Sequence, residues 1–387
     1  AWTAESNQAS SNFGHAVSTA GDVNGDGYSD VITGAPTFSN GETYEGRTFV
    51  YLGSGAGLAP IPAWTAEANQ TGARFGYSVS TAGDVNADGL SDVIIGAPLN
   101  TNGELWEGGA FVYLGSVKGL ATSPVWTAES NQESADFGWS VTKAGDVNGD
   151  GFADVIVGAR AYDNGQNNEG SAFVYLGSAS GLNTSPVWMS ESNQAYALFG
   201  SSVNNAGDVN GDGFSDVVVG APLYDGGETD EGSTYVYLGS ASGPSLIPAW
   251  SAESNRGSAR FGYSVSSGGD VNGDGFSDVI VGANGYDDGQ TDGRVYLYSG
   301  SATGLETSPA WTAEQPGAVG TAEFGGSVST AGDVNGDGYS DVIVGAPFFG
   351  NGETTEGRAF VYLGTPAFLP GDRLHGTFTA LDDQTAA

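Results

Sequence analysis

The chain has 387 residues, no Cys, ten Lys or Arg residues and 46 Asp or Glu residues, which gives a formal net charge of −36. This charge argues against nucleic acid and anionic lipid surfaces as partners, because both would be repelled. The lack of Cys excludes a disulfide framework, a thiolate metal site and a Cys nucleophile, and no apolar run is long enough to predict a transmembrane segment.

A ten-residue acidic segment, GDVNGDGYSD at 21–30, recurs five more times along the chain. The copies begin at 83, 145, 207, 269 and 332, so they lie 62 residues apart four times and 63 residues apart once. A Phe-Gly pair precedes each copy, and a strand-like run such as DVITGAP (30–36) follows it. An acidic turn, a second run such as RTFVYLG (47–53) and a Trp segment such as WTAE (64–67) come next. A fixed repeat with several short strands predicts a propeller or another repeat array.

The strand-like runs are rich in Val, Ile, Tyr, Phe and Thr, and the 65 Gly residues lie largely in turns, which is typical of an all-β fold with tight hairpins. Four antiparallel strands make one propeller blade. The chain begins with a fourth-strand segment, AWTAES (1–6), and its last repeat ends at a third strand, FVYLG (360–364). We therefore predict a six-bladed β-propeller of four-stranded antiparallel blades over residues 1–365, closed by Trp2–Glu5 pairing into the last blade. Residues 366–387 do not match the repeat and are predicted to form a C-terminal tail or linker.

The acidic segment has the spacing Asp-x-Asn-x-Asp-Gly-x-x-Asp, with side-chain oxygens at positions 1, 3, 5 and 9 and a backbone carbonyl available at position 7. Ca²⁺ takes six to eight oxygen ligands and tolerates irregular geometry, whereas Mg²⁺ demands a stricter octahedron. Zn²⁺ and Cu²⁺ would require His or Cys ligands. An ordinary Asx-rich turn has the same composition, but six intact copies favour a Ca²⁺ site in each loop. Six bound ions would change the net charge from −36 to −24.

The combination of Phe-Gly, a GDVNGDG-type loop, Gly-Ala-Pro and a YVYLG-type run resembles the FG-GAP repeat of the integrin alpha-chain β-propeller, which also occurs in bacterial surface and secreted proteins. The resemblance covers residues 1 to about 365 and implies Ca²⁺ on the loop between the first and second strands of a blade. Integrin propellers have seven repeats, only some of which carry the metal loop, whereas all six repeats carry it here. The implied ligands, which act through the backbone carbonyl at the fourth residue of each group of five, are Asp22, Asn24, Asp26, Tyr28 and Asp30; Asp84, Asn86, Asp88, Leu90 and Asp92; Asp146, Asn148, Asp150, Phe152 and Asp154; Asp208, Asn210, Asp212, Phe214 and Asp216; Asp270, Asn272, Asp274, Phe276 and Asp278; and Asp333, Asn335, Asp337, Tyr339 and Asp341.

A Trp occurs at one fixed place in every repeat, at positions 2, 64, 126, 188, 250 and 311. These rings either pack between blades or stack against a sugar, and the constant position favours packing. The Phe of each Phe-Gly pair is predicted to lie in the core. The Glu of each Trp segment is predicted to accept hydrogen bonds from a loop.

Variation between the repeats is concentrated in the segments before Phe-Gly and at the position after it. A propeller places these positions on the face opposite the calcium loops. The variation reflects either neutral drift or a binding surface, and aromatic and Arg side chains are the types that carry interface energy. The candidate ligand-binding residues are His15, Tyr77, Trp139, Tyr196, Tyr263, Arg74 and Arg260.

Together these features predict a secreted or cell-surface, calcium-binding β-propeller with about six Ca²⁺ ions. It is expected to act as a binding, adhesion or surface-assembly module for a protein or glycan partner, and not as an enzyme. Catalysis would need a singular acid–base set, and the two His residues, His15 and His375, are far apart in sequence. The alternatives are the propeller scaffold of a secreted polysaccharide-degrading enzyme and a purely architectural module.

Overall fold

A computed structural model of the chain describes residues 2–289, 291–316, 322–350 and 356–366. The predicted tail therefore lies almost entirely outside the described residues. Among the described residues, no helix has the length and hydropathy needed to cross a lipid bilayer. The strands are β1 (Ala16–Gly21), β2 (Asp30–Ala35), β3 (Arg47–Tyr51), β4 (Trp64–Glu67), β5 (Ser78–Gly83), β6 (Asp92–Ala97), β7 (Gly109–Tyr113), β8 (Trp126–Ala128), β9 (Phe137–Gly145), β10 (Asp154–Ala159), β11 (Ser171–Tyr175), β12 (Trp188–Glu191), β13 (Ser202–Gly207), β14 (Asp216–Ala221), β15 (Ser233–Tyr237), β16 (Trp250–Glu253), β17 (Phe261–Gly269), β18 (Asp278–Asp287), β19 (Thr291–Tyr298), β20 (Trp311–Pro316), β21 (Ser327–Gly332), β22 (Asp341–Ala346) and β23 (Arg358–Tyr362).

The strands form six sheets, one for each repeat, and this arrangement confirms the predicted all-β, six-bladed β-propeller. Within each sheet the strands pair in chain order, so every blade is a meander. The sheets are β1-β2-β3-β4, β5-β6-β7-β8, β9-β10-β11-β12, β13-β14-β15-β16, β17-β18-β19-β20 and β21-β22-β23.

The chain divides into two compact units, one of Ala1–Asn204 with Gly239–Leu246 and the other of Asn205–Leu238 with Ile247–Ala387. Each unit has buried apolar clusters that draw on neighbouring repeats, as in the first unit around Phe137 and in the second around Phe261. The second strands β6, β10 and β14 are buried at every position. This burial on both faces explains why DVIIGA is a continuous apolar run and not an alternating one.

Two recurring glycines allow neighbouring repeats to approach closely. A Cβ atom at Gly96, in the Gly-Ala-Pro segment of the second repeat, would lie 2.0 Å from the carbonyl oxygen of Gly138, in the Phe-Gly pair of the third. No side chain can be placed at that distance, so both motifs keep Gly here. Five of the six adjacent Phe residues lie in the core as predicted, with Phe75 at 1% exposure and Phe137, Phe199, Phe261 and Phe324 at 0%. Phe13 of the first repeat is only half-buried.

The recurring Trp residues pack between repeats, which confirms the packing interpretation. Trp126 Nε1 donates to the carbonyl oxygen of Asn183 at 2.9 Å, and its ring meets the Tyr175 ring edge-on with centroids 4.9 Å apart. Asn183 and Tyr175 belong to the repeat that follows Trp126. The same arrangement joins Trp64 to Ala121 and Tyr113, and Trp250 to Glu306 and Tyr298.

The N-terminal segment at residues 2–5 belongs to no strand in the described part of the chain, and the last sheet has three strands there. Trp2 nevertheless makes the contact that the other recurring Trp residues make with the following repeat. It donates to the Ala59 carbonyl oxygen at 2.9 Å and packs edge-on against Tyr51 with centroids 4.9 Å apart. The side-chain contact of Trp2 therefore follows the repeat, whereas the strand expected at Trp2–Glu5 is not found.

Trp126→Ala is expected to lower the free energy of unfolding by about 3–5 kcal/mol, the usual cost of removing a core Trp, because its ring is 6% exposed. Trp2→Ala is expected to cost clearly less, because Trp2 is 37% exposed. Urea unfolding followed by circular dichroism measures both losses. Equal losses in the two variants would contradict the difference in packing.

Candidate metal centre

The candidate metal centre of the first blade is the turn that joins β1 to β2. Asp22 opens this turn and accepts hydrogen bonds from the turn's own amides, at 2.7 Å from Gly25 to Oδ1 and at 2.8 Å from Gly27 to Oδ2. Partial desolvation raises the pKa of Asp22, but the surrounding amides outweigh it and hold that pKa below its usual value. The first acidic residue of the turn is therefore kept ionised by its own backbone.

The next two polar side chains continue this pattern on the exposed side of the turn. Asn24 Oδ1 accepts from the Asp26 amide at 2.9 Å, and Asp26 Oδ1 accepts from the Tyr28 amide at 3.0 Å. Asn24 Nδ2 donates to Asp26 Oδ2 at 3.0 Å. The corresponding Asn-to-Asp contact is found in the other five turns, so all six have one construction.

The last Asp of each turn is placed differently, because it is also the first residue of the second strand. Asp30 Oδ2 accepts from the Val23 amide at 3.0 Å, and Oδ1 accepts from the Gly53 amide at 2.8 Å. It thereby joins the turn to the chain that leaves β3. All six copies have 0% exposure: Asp30, Asp92, Asp154, Asp216, Asp278 and Asp341.

Burial has a large electrostatic effect on this last Asp. In the second blade, burial raises the pKa of Asp92 to about 7, although hydrogen bonds from Gly115 and Val85 lower it. The charges of Asp88 and Asp84 raise it further. Asp154 and Asp278 are likewise raised to about 7. Each of these turns therefore concentrates negative charge that a cation would neutralise.

No group of three or more His, Cys, Asp or Glu side chains in the described part of the chain is arranged to hold a metal ion as it stands. In the first turn the Asp oxygens accept hydrogen bonds from backbone amides. The donor chemistry nevertheless fits a hard cation, because each turn offers three carboxylates, one Asn amide oxygen and a backbone carbonyl. The residues that would hold Ca²⁺ are those implied by the sequence.

Three of the candidate ligand-binding residues form a row in the first unit. The His15 and Tyr77 rings have centroids 4.7 Å apart, and the Tyr77 and Trp139 rings have centroids 4.3 Å apart. They occupy the position after Phe-Gly in three successive blades. Burial and, to a smaller degree, the charge of Arg74 hold the pKa of His15 below its usual value.

Arg160 extends this row and was not identified from the sequence. Its guanidinium lies 3.0 Å from the Trp139 ring centroid, and its Nε donates to Asp136 Oδ2 at 2.9 Å. Trp139 is thus covered by Tyr77 on one side and by Arg160 on another, which makes it a packed residue more than an open platform. The signal was readable in the sequence, since four other repeats have Pro where the third has Arg160, namely Pro36, Pro98, Pro222 and Pro347.

The remaining candidates are not part of the row. Arg74 is exposed, and Tyr196 is 56% exposed and lies 3.4 Å from Asn167 Nδ2 through its hydroxyl. Arg260 and the 42% exposed Tyr263 belong to the second unit. The predicted hydrogen-bonding role of the Trp-segment Glu is confirmed in three blades, where the carboxylates accept from Asn side chains: Asn40 to Glu67, Asn102 to Glu129 and Asn164 to Glu191.

The comparisons with known proteins confirm the resemblance seen in the sequence. The FG-GAP repeat model matches residues 13–51, 75–113, 137–175, 199–237, 261–298 and 324–362. Integrin alpha-5 of Xenopus laevis is 32% identical over 222 residues, which cover 55% of this chain and 20% of that protein. Phosphatidylinositol-glycan-specific phospholipase D of Mus musculus is 33% identical over 411 residues, which cover 95% of this chain and 46% of that protein. The chain thus spans less than half the length of these relatives.

The second turn departs from the others at Ala87, which has a left-handed φ of 55° where the first turn has Gly25 at 75°. Left-handed backbone costs a residue with a Cβ atom about 1–2 kcal/mol. Ala87→Gly is therefore expected to raise the free energy of unfolding by about 1 kcal/mol. Gly25→Ala is the matched reverse change, and its Cβ would lie 2.8 Å from Leu90 Cδ2. Thermal unfolding tests the pair, and destabilisation by Ala87→Gly would refute the argument.

Proposed function

Because the chain belongs to the FG-GAP repeat family, we propose that it is a calcium-binding β-propeller that acts outside the cell as a binding module. It holds about six Ca²⁺ ions, one in each turn between the first and second strands. It binds a protein or glycan partner at the opposite ends of its blades and has no catalytic activity of its own.

The observation that carries this proposal is the repeated turn. All six copies keep the full set of oxygen donors, and three of their buried Asp residues have a pKa raised to about 7 by burial and neighbouring carboxylates. A divalent cation reverses this penalty, because it stabilises the ionised form of every carboxylate around it.

In the first turn, Asp22, Asn24, Asp26 and Asp30 would hold the ion by side-chain oxygens and Tyr28 by its carbonyl oxygen. The bound cation supplies positive charge and no reaction chemistry. Asp30 also accepts hydrogen bonds from the Val23 amide in the turn and from the Gly53 amide after β3. A cation that offsets the negative charge of the turn would therefore stabilise the contact between the turn and the end of β3. Ion binding is therefore coupled to stability.

Partner binding is proposed for the opposite ends of the blades because the residues that vary between repeats lie there. In the first unit these positions carry the row of His15, Tyr77 and Trp139 together with the exposed Arg74. The calcium turns have few free polar groups with which to distinguish one partner from another, since their oxygens bind backbone amides or, as proposed, the metal. Varied loops on a rigid scaffold are the usual place for specificity.

The activities named for the relatives are not transferred to this chain. The phospholipase D similarity covers 46% of that protein, and the carboxylates that recur here have structural places in the turns and blade edges. A binding module is therefore the function that we propose for this chain. A longer protein containing it can carry further activities.

Calcium titration of EDTA-stripped protein tests the proposal. Isothermal titration calorimetry is expected to show about six sites with dissociation constants on the order of 10⁻⁴–10⁻³ M, typical of extracellular modules. At ten times the dissociation constant, each site adds about 1.4 kcal/mol to the free energy of unfolding, so the melting temperature rises with free Ca²⁺.

Asp26→Ala is expected to remove one calcium site and leave five. Glu42→Ala removes an exposed carboxylate that lies outside the six calcium turns, and it is expected to leave the number of sites unchanged. Mg²⁺ at the same concentration serves as the ion control. A stoichiometry near zero, or a melting temperature indifferent to EDTA, would rule out the calcium centres.

A further inference from the structure

One residue of the turn between the second and third strands has the same left-handed backbone in the first four blades. The residue before its buried Glu always has a left-handed φ, with 53° at Tyr44, 55° at Trp106, 48° at Asn168 and 51° at Asp230. The side chain at this place differs in every one of the four blades, although its φ does not.

Side-chain hydrogen bonds impose this backbone whatever residue occupies the position. The Tyr44 amide donates to Ser39 Oγ at 2.9 Å, and the Trp106 amide donates to Thr101 Oγ1 at 3.1 Å. The next residue in each turn is a Glu of 0–1% exposure, and its carboxylate accepts amides from the start of the same turn. The turn is thus held in one shape before any ligand arrives.

Asn and Asp adopt a left-handed backbone readily, whereas large aromatic residues do so at a cost. Packing does not offset this cost here, because Tyr44 is 53% exposed and Trp106 is 49% exposed. A strained backbone that holds a half-exposed ring, in a turn that also accepts Asn168 or Asp230, points to a use for the ring itself.

The surroundings of the two rings indicate what they contact. Their turns are polar, with Glu42 and Thr43 beside Tyr44 and with Glu104 in the turn of Trp106, and the 48% exposed Leu105 is the apolar neighbour. Apart from Leu105 these neighbours are polar, so the two rings do not lie in the apolar patch that the centre of a protein interface usually has. A sugar ring instead has an apolar face for stacking and a rim of hydroxyls for the polar groups.

The net charge of the chain and the recurrence of an aromatic ring on two blades further limit the chemical class of the ligand. A net charge of −36 opposes the approach of a polyanion. Tyr44 and Trp106 occupy equivalent places on consecutive blades of the first unit, so a polymer of identical residues would meet the same kind of contact on each blade. The Arg74 amide donates to the Tyr44 carbonyl oxygen at 3.3 Å, which connects this surface to the row of His15 and Tyr77.

We propose that Tyr44 and Trp106 form an aromatic pair that stacks against the pyranose rings of a neutral polysaccharide. This inference rests on the proposed role as a binding module, and it names the ligand class and the residues that contact it. It does not depend on the calcium turns, which lie at the other ends of the same blades.

Native affinity electrophoresis of the calcium-loaded chain tests the aromatic pair. Gels contain xylan, galactomannan or hydroxyethylcellulose as neutral probes and polygalacturonate as the anionic comparison. We expect retardation by at least one neutral polysaccharide and an affinity at least tenfold lower in the double variant Tyr44→Asn with Trp106→Asn. Because Asn occupies this position in the third blade, the double variant is expected to melt at the same or a higher temperature.

Two further variants act as controls. Tyr44→Phe with Trp106→Phe keeps both rings and is expected to bind nearly as well as the parent chain, and Asn168→Tyr adds a third ring and is expected to increase retardation. The inference is overturned if no neutral polysaccharide retards the parent chain, if the Asn double variant is retarded equally, or if only polygalacturonate retards it. If the polysaccharide test fails but calcium titration still shows about six sites, only the aromatic pair is wrong and the proposed function stands. If calcium titration fails but retardation still depends on the two rings, only the calcium centres are wrong.

Discussion

The structure depends on one interaction that each blade repeats, the buried carboxylate at the start of the second strand. In the first blade, Asp30 has 0% exposure and accepts the amides of Val23 and Gly53. Hydrogen bonds to a charged group contribute about 1.5–3 kcal/mol each, but burying an ionised carboxylate costs several kcal/mol. The two contributions are similar in size, so a cation that neutralised the local negative charge, as we propose, would shift the balance further towards the clamp.

Much of the fold could be predicted from the sequence because the same physical requirement recurs six times. The glycines of Phe-Gly and Gly-Ala-Pro mark a backbone approach that no side chain permits, as between Gly96 and Gly138. The Trp at a fixed position indicates a packing contact between repeats, and the acidic segment indicates an oxygen-rich turn. Because each of these patterns occurs six times, the sequence predicts both the number of blades and the order of their strands.

The parts that escaped prediction are those where a side chain acts alone. The N-terminal segment was expected to add a strand, but Trp2 makes its contact through the ring and Nε1 without a ladder. The sequence marks Arg160 as a departure from the Pro of four other repeats, but it does not show that the guanidinium lies beside Trp139 and Asp136. The left-handed backbone at Tyr44 and Trp106 is likewise invisible in a sequence, because nothing in the residue type signals it.

The bond from each Trp to the following repeat also shows where the chain tolerates changes in length. The Trp and the residue whose carbonyl it reaches are 57 residues apart for Trp2, Trp64, Trp126 and Trp188, but 56 apart for Trp250. The repeat that Trp250 reaches matches the family over 261–298, one residue fewer than the others. Its second and third strands, β18 and β19, have 10 and 8 residues and are longer than those of the other repeats. The bond from Trp250 is nearly as short regardless, at 3.0 Å compared with 2.8–2.9 Å for the other four. The turn between the second and third strands therefore accepts a change of one residue without loss of the Trp bond, which makes it a place to insert a short peptide in an engineered display scaffold.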